Sequence, residues 1–202
     1  MLDIMENVVY ENEITVEVDL SIGELKQLLD DNGFTVKNEY DINDIYMIKK
    51  ECRSHNPLKM LKDSVLIRNV IGKEKNTKKI VYKHKEYNSN EEITKQANIE
   101  CQILSIADAH NLLTFMGYND LITINDHITV YANSESEFAI EEVNDKHLYI
   151  EIEQKCRFIN RVYDSIEELM TDFSRYNIPI KNNNYFAKKA EDEIKEVYKI
   201  GD

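Results

Sequence analysis

Apolar and polar residues alternate with period two over much of this chain, and the alternation is broken at intervals by stretches of helical spacing. In a strand, residues i and i+2 share a face, whereas a helix brings i, i+3 and i+4 together. Residues 8–20, VVYENEITVEVDL, alternate as a strand. The segment SIGELKQLLDDNG then predicts a helix: Ser21 is placed to cap it, Leu25, Leu28 and Leu29 fall on one side, and Gly33 ends it. Strand character returns in 34–50, 63–72 and 78–87.

The order then recurs. ANIECQI at 97–103 predicts a strand, SIADAHNLLTFMGY a helix capped by Ser105 and ended by Gly117, and 121–132 with 136–143 a hairpin, before LYIEIEQ at 148–154 closes the sheet. A strand, helix and meander met twice predicts a pseudo-symmetric antiparallel barrel rather than two separate domains. Residues 165–178 and 186–199 predict two more helices, the second so charged that it is expected at the periphery, solvated and laced with i,i+4 ion pairs.

Length and charge narrow the reading. A chain of 202 residues with two prolines and five glycines has no flexible linker, so 1–202 is expected to form a single domain, with peripheral C-terminal helices at about 163–198. A formal net charge of -13 argues against nucleic acid as the main partner, although a basic patch could sit inside the acidic shell. Cys52, Cys101 and Cys156 show no CxxC spacing and read as reduced thiols. The opening MLDIMENVVY lacks a positive n-region, and no stretch approaches a membrane span, so a cytoplasmic protein without a membrane partner is expected, as monomer or homodimer.

Candidate chemistry lies in carboxylates at every second position: Glu13 and Glu17 flank Thr15, Glu100 precedes Gln102, and Glu151 and Glu153 alternate with isoleucines. If these faces converge they repel, and they need protons, basic side chains or metal ions among them. If they do not, the sheet is half-solvated and its glutamates face water. Arg68, sharing a face with Leu66 and Ser64, and Lys83 supply cations on strands of the same sheet. A planar fork and a compact point charge are what phosphate binding uses.

These residues resemble the CYTH or triphosphate tunnel superfamily, which includes class IV adenylyl cyclases, thiamine triphosphatases and inorganic triphosphatases. The likeness runs through most of residues 9–190. Glu13-Ile-Thr15-Val-Glu17 stands where the family has Glu-x-Glu-x-Lys, Asp44 and Tyr46 match Asp-x-Tyr, and SVLIR keeps Arg68 with Leu66 in place of the first arginine. IVYK matches the strand that carries the phosphate-binding lysine, here Lys83. In the second half Arg-x-Glu-x-Glu becomes Asn98-Ile-Glu100-Cys-Gln102, and Lys-x-Arg becomes Asn125-Asp-His127. Glu141 takes an aspartate's place, and Glu151 and Glu153 are intact.

The resemblance implies an α+β fold: an eight-stranded antiparallel tunnel-like barrel, closed or nearly closed, with flanking helices and two similar halves. It implies metal-dependent hydrolysis of an organic or inorganic triphosphate. Glu13, Glu100, Glu151 and Glu153 would hold Mg²⁺ or Mn²⁺, and these four with Arg68 and Lys83 would be catalytic. Arg68, Lys83, Asn98, Asn125 and His127 would bind the substrate. Two alternatives are an adenylyl cyclase forming cyclic AMP from ATP, and a catalytically degenerate protein that binds a ligand or a protein partner. A hydrated channel with an acidic cluster and a bound ion favours an enzyme, and a collapsed apolar lumen favours a structural or interaction role.

Overall fold

The computed structural model describes residues 12–54, 56–73, 75–87 and 93–199, with the side chains of 58, 84–87 and 93–98 outside the description. Residues 8–11 of the expected first strand therefore lie outside it. Eight antiparallel strands form one sheet: β1 (Glu13–Glu17), β2 (Thr35–Lys49), β3 (Ser64–Gly72), β4 (Asn76–Tyr87), β5 (Ile93–Gln102), β6 (Tyr118–Ala132), β7 (Glu137–Val143) and β8 (His147–Glu153). Among the described residues five α-helices accompany it: α1 (Ile22–Asp31), α2 (Pro57–Lys62), α3 (Ile106–Phe115), α4 (Ile166–Ser174) and α5 (Lys189–Tyr198).

Local signals set most of these boundaries. Ser21 and Glu24 form a reciprocal capping box at the start of α1. Gly33 after α1 and Gly117 after α3 adopt φ of +74° and +89°, a conformation costly for a side chain with a Cβ. Helix α2 falls between the strands expected at 34–50 and 63–72; Asn56 caps it by accepting from the Lys59 amide, with Pro57 in the first turn. Between β7 and β8, Asn144 and Asp145 take φ of 49° and 57°, as a tight hairpin with primed turn geometry requires.

The strand order is β1-β8-β7-β6-β2-β3-β4-β5. Duplication is visible in it: each half supplies a meander (β2-β3-β4 or β6-β7-β8), the two meanders meet at β2 and β6, and each half's first strand pairs with the other's last. The expectation of a closed or nearly closed barrel is corrected, because β1 and β5 stand at opposite ends and the sheet is open. The reason lies at β1, whose five residues pair with β8 on one side only. Its other edge is taken by the chain leading into α5: the Thr15 amide donates to the Tyr185 carbonyl at 3.1 Å, and the Ala187 amide to the Thr15 carbonyl at 2.8 Å. That edge is satisfied locally and does not recruit β5.

Helices sort onto the two faces by the strand alternation. Ile14, Val16, Ile150 and Ile152 point to the face covered by α1 and α4, where they pack with Leu25, Leu29, Leu169 and Phe173. Met47 and Ile67 meet Ala109 and Leu113 of α3. Tyr46, Leu66, Val81, Ile124 and Tyr149 point to the opposite face and pack against Met60 of α2 and Ile194 of α5. Ile194 is fully buried, a burial worth about 1.5–3 kcal/mol, and it anchors α5 against the sheet.

Candidate functional site

The face bearing Tyr46, Leu66, Ile124 and Tyr149 also carries the charged residues two positions further along the same strands. Asp44 on β2, Arg68 on β3, Asp126 on β6 and Glu151 on β8 follow by strand parity. With Asp44 buried beside Arg68, the side chains of Arg68, Asp126 and Glu151 open onto a cavity of about 910 Å³ lined by residues from all eight strands and α5. It is polar, not a collapsed apolar lumen. Eight cationic side chains line it (Lys37, Arg68, Lys73, Lys75, Lys79, Lys83, Arg157 and Lys189) against seven acidic ones, in a chain whose net charge is -13. The basic residues therefore gather where the rest of the surface is acidic.

Arg68 is held from beneath. Its Nε donates to Asp44 Oδ1 at 2.8 Å and its NH2 to Oδ2 at 2.5 Å, a two-point grip on a carboxylate that is itself buried. Burial works against the guanidinium charge, but Asp44 outweighs it and fixes the cation. On the next strand Lys79, the register partner of Arg68, donates to Glu100 at 2.6 Å, and at the end of β8 Arg157 grips Glu153 with a contact of 2.7 Å.

At the deep end, Asp126, Glu141 and Glu151 gather around Lys189 from the first turn of α5. The ammonium hydrogen-bonds Glu141 and lies 3.7 Å from Glu151 Oε2 and 4.0 Å from Asp126 Oδ2. Burial would discharge Lys189, but the three acids hold it protonated, well above its ordinary range. Burial pushes Glu141 up to about 8 despite Lys189, with Glu151 and Asp126 adding to the rise. Asp126 is raised for the same first reason. Glu151 is lowered: burial opposes its charge, and Lys189, Lys83, Arg68 and Arg157 together overcome that.

Of the residues singled out in the sequence, Glu13, Arg68, Lys83, Glu100, Glu151 and Glu153 line this one cavity. Asn98 pairs with Lys83 through the backbone, but its side chain lies outside the described residues. Asn125 and His127 are not part of the lining. Asn125 accepts from Asn43 at 2.9 Å, and His127 contacts Asp41 at 2.7 Å, on the face away from the cavity. Glu17 binds Lys181 at 2.8 Å and His147 at 3.0 Å, also apart from it. The residue between Asn125 and His127 is the one that points inward. Asp126 shares parity with Ile124 and Ile128, and an acid on the apolar parity of a strand was the signal that could have found it. Asp44, between Ile42 and Tyr46, and Glu141, between Ala139 and Val143, carry the same signature. Lys189 gave no such signal, because its helix is charged nearly all round.

Mg²⁺ and Mn²⁺ require convergent hard oxygen ligands. Among the described residues no group of three or more acidic, histidine or cysteine side chains is gathered to hold a metal. Glu100 is engaged by Lys79 and Glu153 by Arg157, and where three carboxylates do approach, an ammonium stands between them. The expected ligand set of Glu13, Glu100, Glu151 and Glu153 thus does not fit a divalent ion in this arrangement. Among the described residues no helix is long and apolar enough to cross a membrane.

No protein-family model matches this chain, and no curated protein sequence matches it. Solved structures do. A Pyrococcus horikoshii protein superposes with a TM-score of 0.63 at 18% identity, over 87% of this chain and 96% of that one. A candidate adenylate cyclase of Vibrio parahaemolyticus gives 0.55 at 13%, over 87% and 95%. A candidate adenylyl cyclase of Hippeastrum, described as having a dominant triphosphatase activity, gives 0.54 at 14%, over 93% and 96%. At these identities the likeness is one of fold.

Proposed function

We propose, on the premise that this chain has the fold of the CYTH or triphosphate tunnel superfamily, that its cavity binds a small molecule carrying a triphosphate or similar polyanion. One observation supports this above the others: eight of the chain's basic side chains line a single polar cavity in an otherwise acidic molecule. Basic side chains outnumber acidic ones here by eight to seven, against 25 to 38 in the chain as a whole, so the cavity is the part of the molecule least hostile to a polyanion. Arg68, pre-set by Asp44, supplies a planar fork to phosphoryl oxygens, and Lys79 and Lys83 supply point charges from the neighbouring strand. The rise of Glu141 to about 8, caused first by burial, moves the balance further toward binding an anion.

The second reading is hydrolysis of the bound triphosphate, or its cyclisation in the case of ATP. It is favoured by Glu151 and Glu153 lining the same cavity as Arg68 and Lys83, and by the triphosphatase activity of the Hippeastrum neighbour. The test uses tripolyphosphate, thiamine triphosphate and ATP, each in EDTA, Mg²⁺ and Mn²⁺. Thermal shift reads binding, and phosphate and cyclic AMP read turnover. Ligand at a hundred times its Kd is expected to stabilise the chain by about 2.7 kcal/mol. Stabilisation in EDTA that Lys83→Met weakens supports the binding reading, and its absence with all three compounds sinks it. Turnover lost in Glu151→Gln supports the second reading.

A further inference from the structure

At the deep end of the cavity three carboxyl groups gather around a single ammonium. Asp126, Glu141 and Glu151 come from three adjacent strands, β6, β7 and β8, and converge on one ammonium. Their side chains are 7%, 4% and 20% exposed. Asp126 keeps an oxygen to spare: Oδ1 is buried and has no hydrogen-bond partner, on a side chain that lines the cavity wall. A buried carboxylate oxygen without a partner is costly, and it marks a place where a cation with more ligand positions than an ammonium would be accepted.

That place is filled from the chain itself. Lys189 opens α5, and α5 is pinned on both sides of it. The Ala187 amide donates to the Thr15 carbonyl at 2.8 Å, Ile194 is fully buried, and His147 contacts Glu196 at 2.8 Å. The ammonium is therefore delivered at high effective concentration and with no translational entropy left to lose. A divalent ion entering the cluster would meet this fixed positive charge within a few ångströms, in surroundings that screen it poorly.

We infer that Lys189 is a tethered stand-in for a divalent cation: it keeps Mg²⁺ and Mn²⁺ out of the Asp126, Glu141 and Glu151 cluster, and removing its charge opens a divalent-metal site there. The carboxylates have to draw in to oxygen–metal distances of about 2.0–2.6 Å, a movement that rotation of the two long glutamate side chains can supply. Asp126 then brings its unpartnered oxygen as a further ligand. The inference stands apart from polyphosphate binding, because a titration with metal alone tests it.

The experiment titrates Mn²⁺ into the full chain and follows free Mn²⁺ by electron paramagnetic resonance, without phosphate or nucleotide. The native chain is expected to show no saturable site at this cluster. Lys189→Met is expected to gain one Mn²⁺ at least about tenfold tighter than any native binding, and Lys189→Arg, which keeps the charge, to behave as native. Adding Glu151→Gln to Lys189→Met is expected to abolish the gain. Lys189→Gln provides a second neutral variant should the methionine disturb α5, with circular dichroism showing that the chain is folded. The inference is overturned if the native chain binds one Mn²⁺ that Glu151→Gln removes, or if folded neutral variants gain no site.

Discussion

Arg68 and Asp44 are the pair on which the cavity wall depends. Both are mostly buried, and the carboxylate takes two hydrogen bonds from one guanidinium. Removing one partner of such a pair leaves the other as an uncompensated buried charge. Asp44→Ala is accordingly expected to lose about 3–5 kcal/mol of stability in urea unfolding, far more than an exposed ion pair gives. Glu141 gives a prediction of the opposite kind. Its carboxyl is held protonated up to about 8 by burial, so it adds no negative charge to the cavity at neutral pH. Raising the pH through about 8 ionises it, and tripolyphosphate affinity is expected to fall over that window, measured by calorimetry in a non-coordinating buffer. Glu141→Gln should flatten the fall. The sign follows from the deprotonated form being the one that repels the ligand. At this scale the sequence was legible in its parity and misleading in its emphasis. Alternation put Glu151 and Glu153 on one side of their strand and Arg68 with Leu66 and Ser64 on one side of theirs, and only the family resemblance brought these faces and Lys83 together. Asn125 and His127 attracted attention as polar residues at a family position, whereas Asp126 between them lies on the parity of Ile124 and Ile128.

Helix α5 shows what alternation cannot reveal. Its residues are polar on most sides, and nothing in FAKKAEDEIKEVYK tells which lysine faces inward; only its docking through Ile194 and the strand-like contact of 185–187 with β1 decides it. The docking has a pH-sensitive clasp. His147 touches Glu17 of β1 at 3.0 Å and Glu196 of α5 at 2.8 Å. Burial would lower the imidazole pKa, but the hydrogen bonds to the two carboxylates outweigh it and hold it above 6.5. A group whose folded pKa is raised contributes stability that is complete below its unfolded value and is lost as pH rises through the folded one. Native protein is thus expected to exceed His147→Gln in Tm below about pH 6.5, and the gap to shrink as the pH rises beyond it. Hydrogen exchange of α5 amides should quicken over the same range. The capped helices α1 and α3 were readable because Ser21, Ser105, Gly33 and Gly117 act within a few residues of themselves. Helix α2 had comparable signals in Asn56 and Pro57, but it is short and follows a stretch without helical period.

For the whole molecule, the central fact is a division of charge: a chain of net charge -13 holds a cavity whose eight basic side chains outnumber its seven acidic ones. The number of strands and the duplication could be read from the recurrence of strand, helix and meander together with the family resemblance. Closure could not, because it depends on what binds the free edge of β1, and that edge is satisfied by a segment far away in sequence, 185–187. An acidic exterior also opposes the approach of a polyanion, so on-rates should rise with added salt while affinity falls as contacts inside the cavity are screened. Stopped-flow and equilibrium titrations at two ionic strengths separate the two effects. The most direct test is calorimetric titration of tripolyphosphate into the full chain in EDTA, beside Lys83→Met. Saturable binding of one tripolyphosphate per chain, weakened about tenfold or more by the substitution, is the result predicted. No heat and no saturation with folded native protein would contradict the assignment of this cavity to a phosphorylated polyanion.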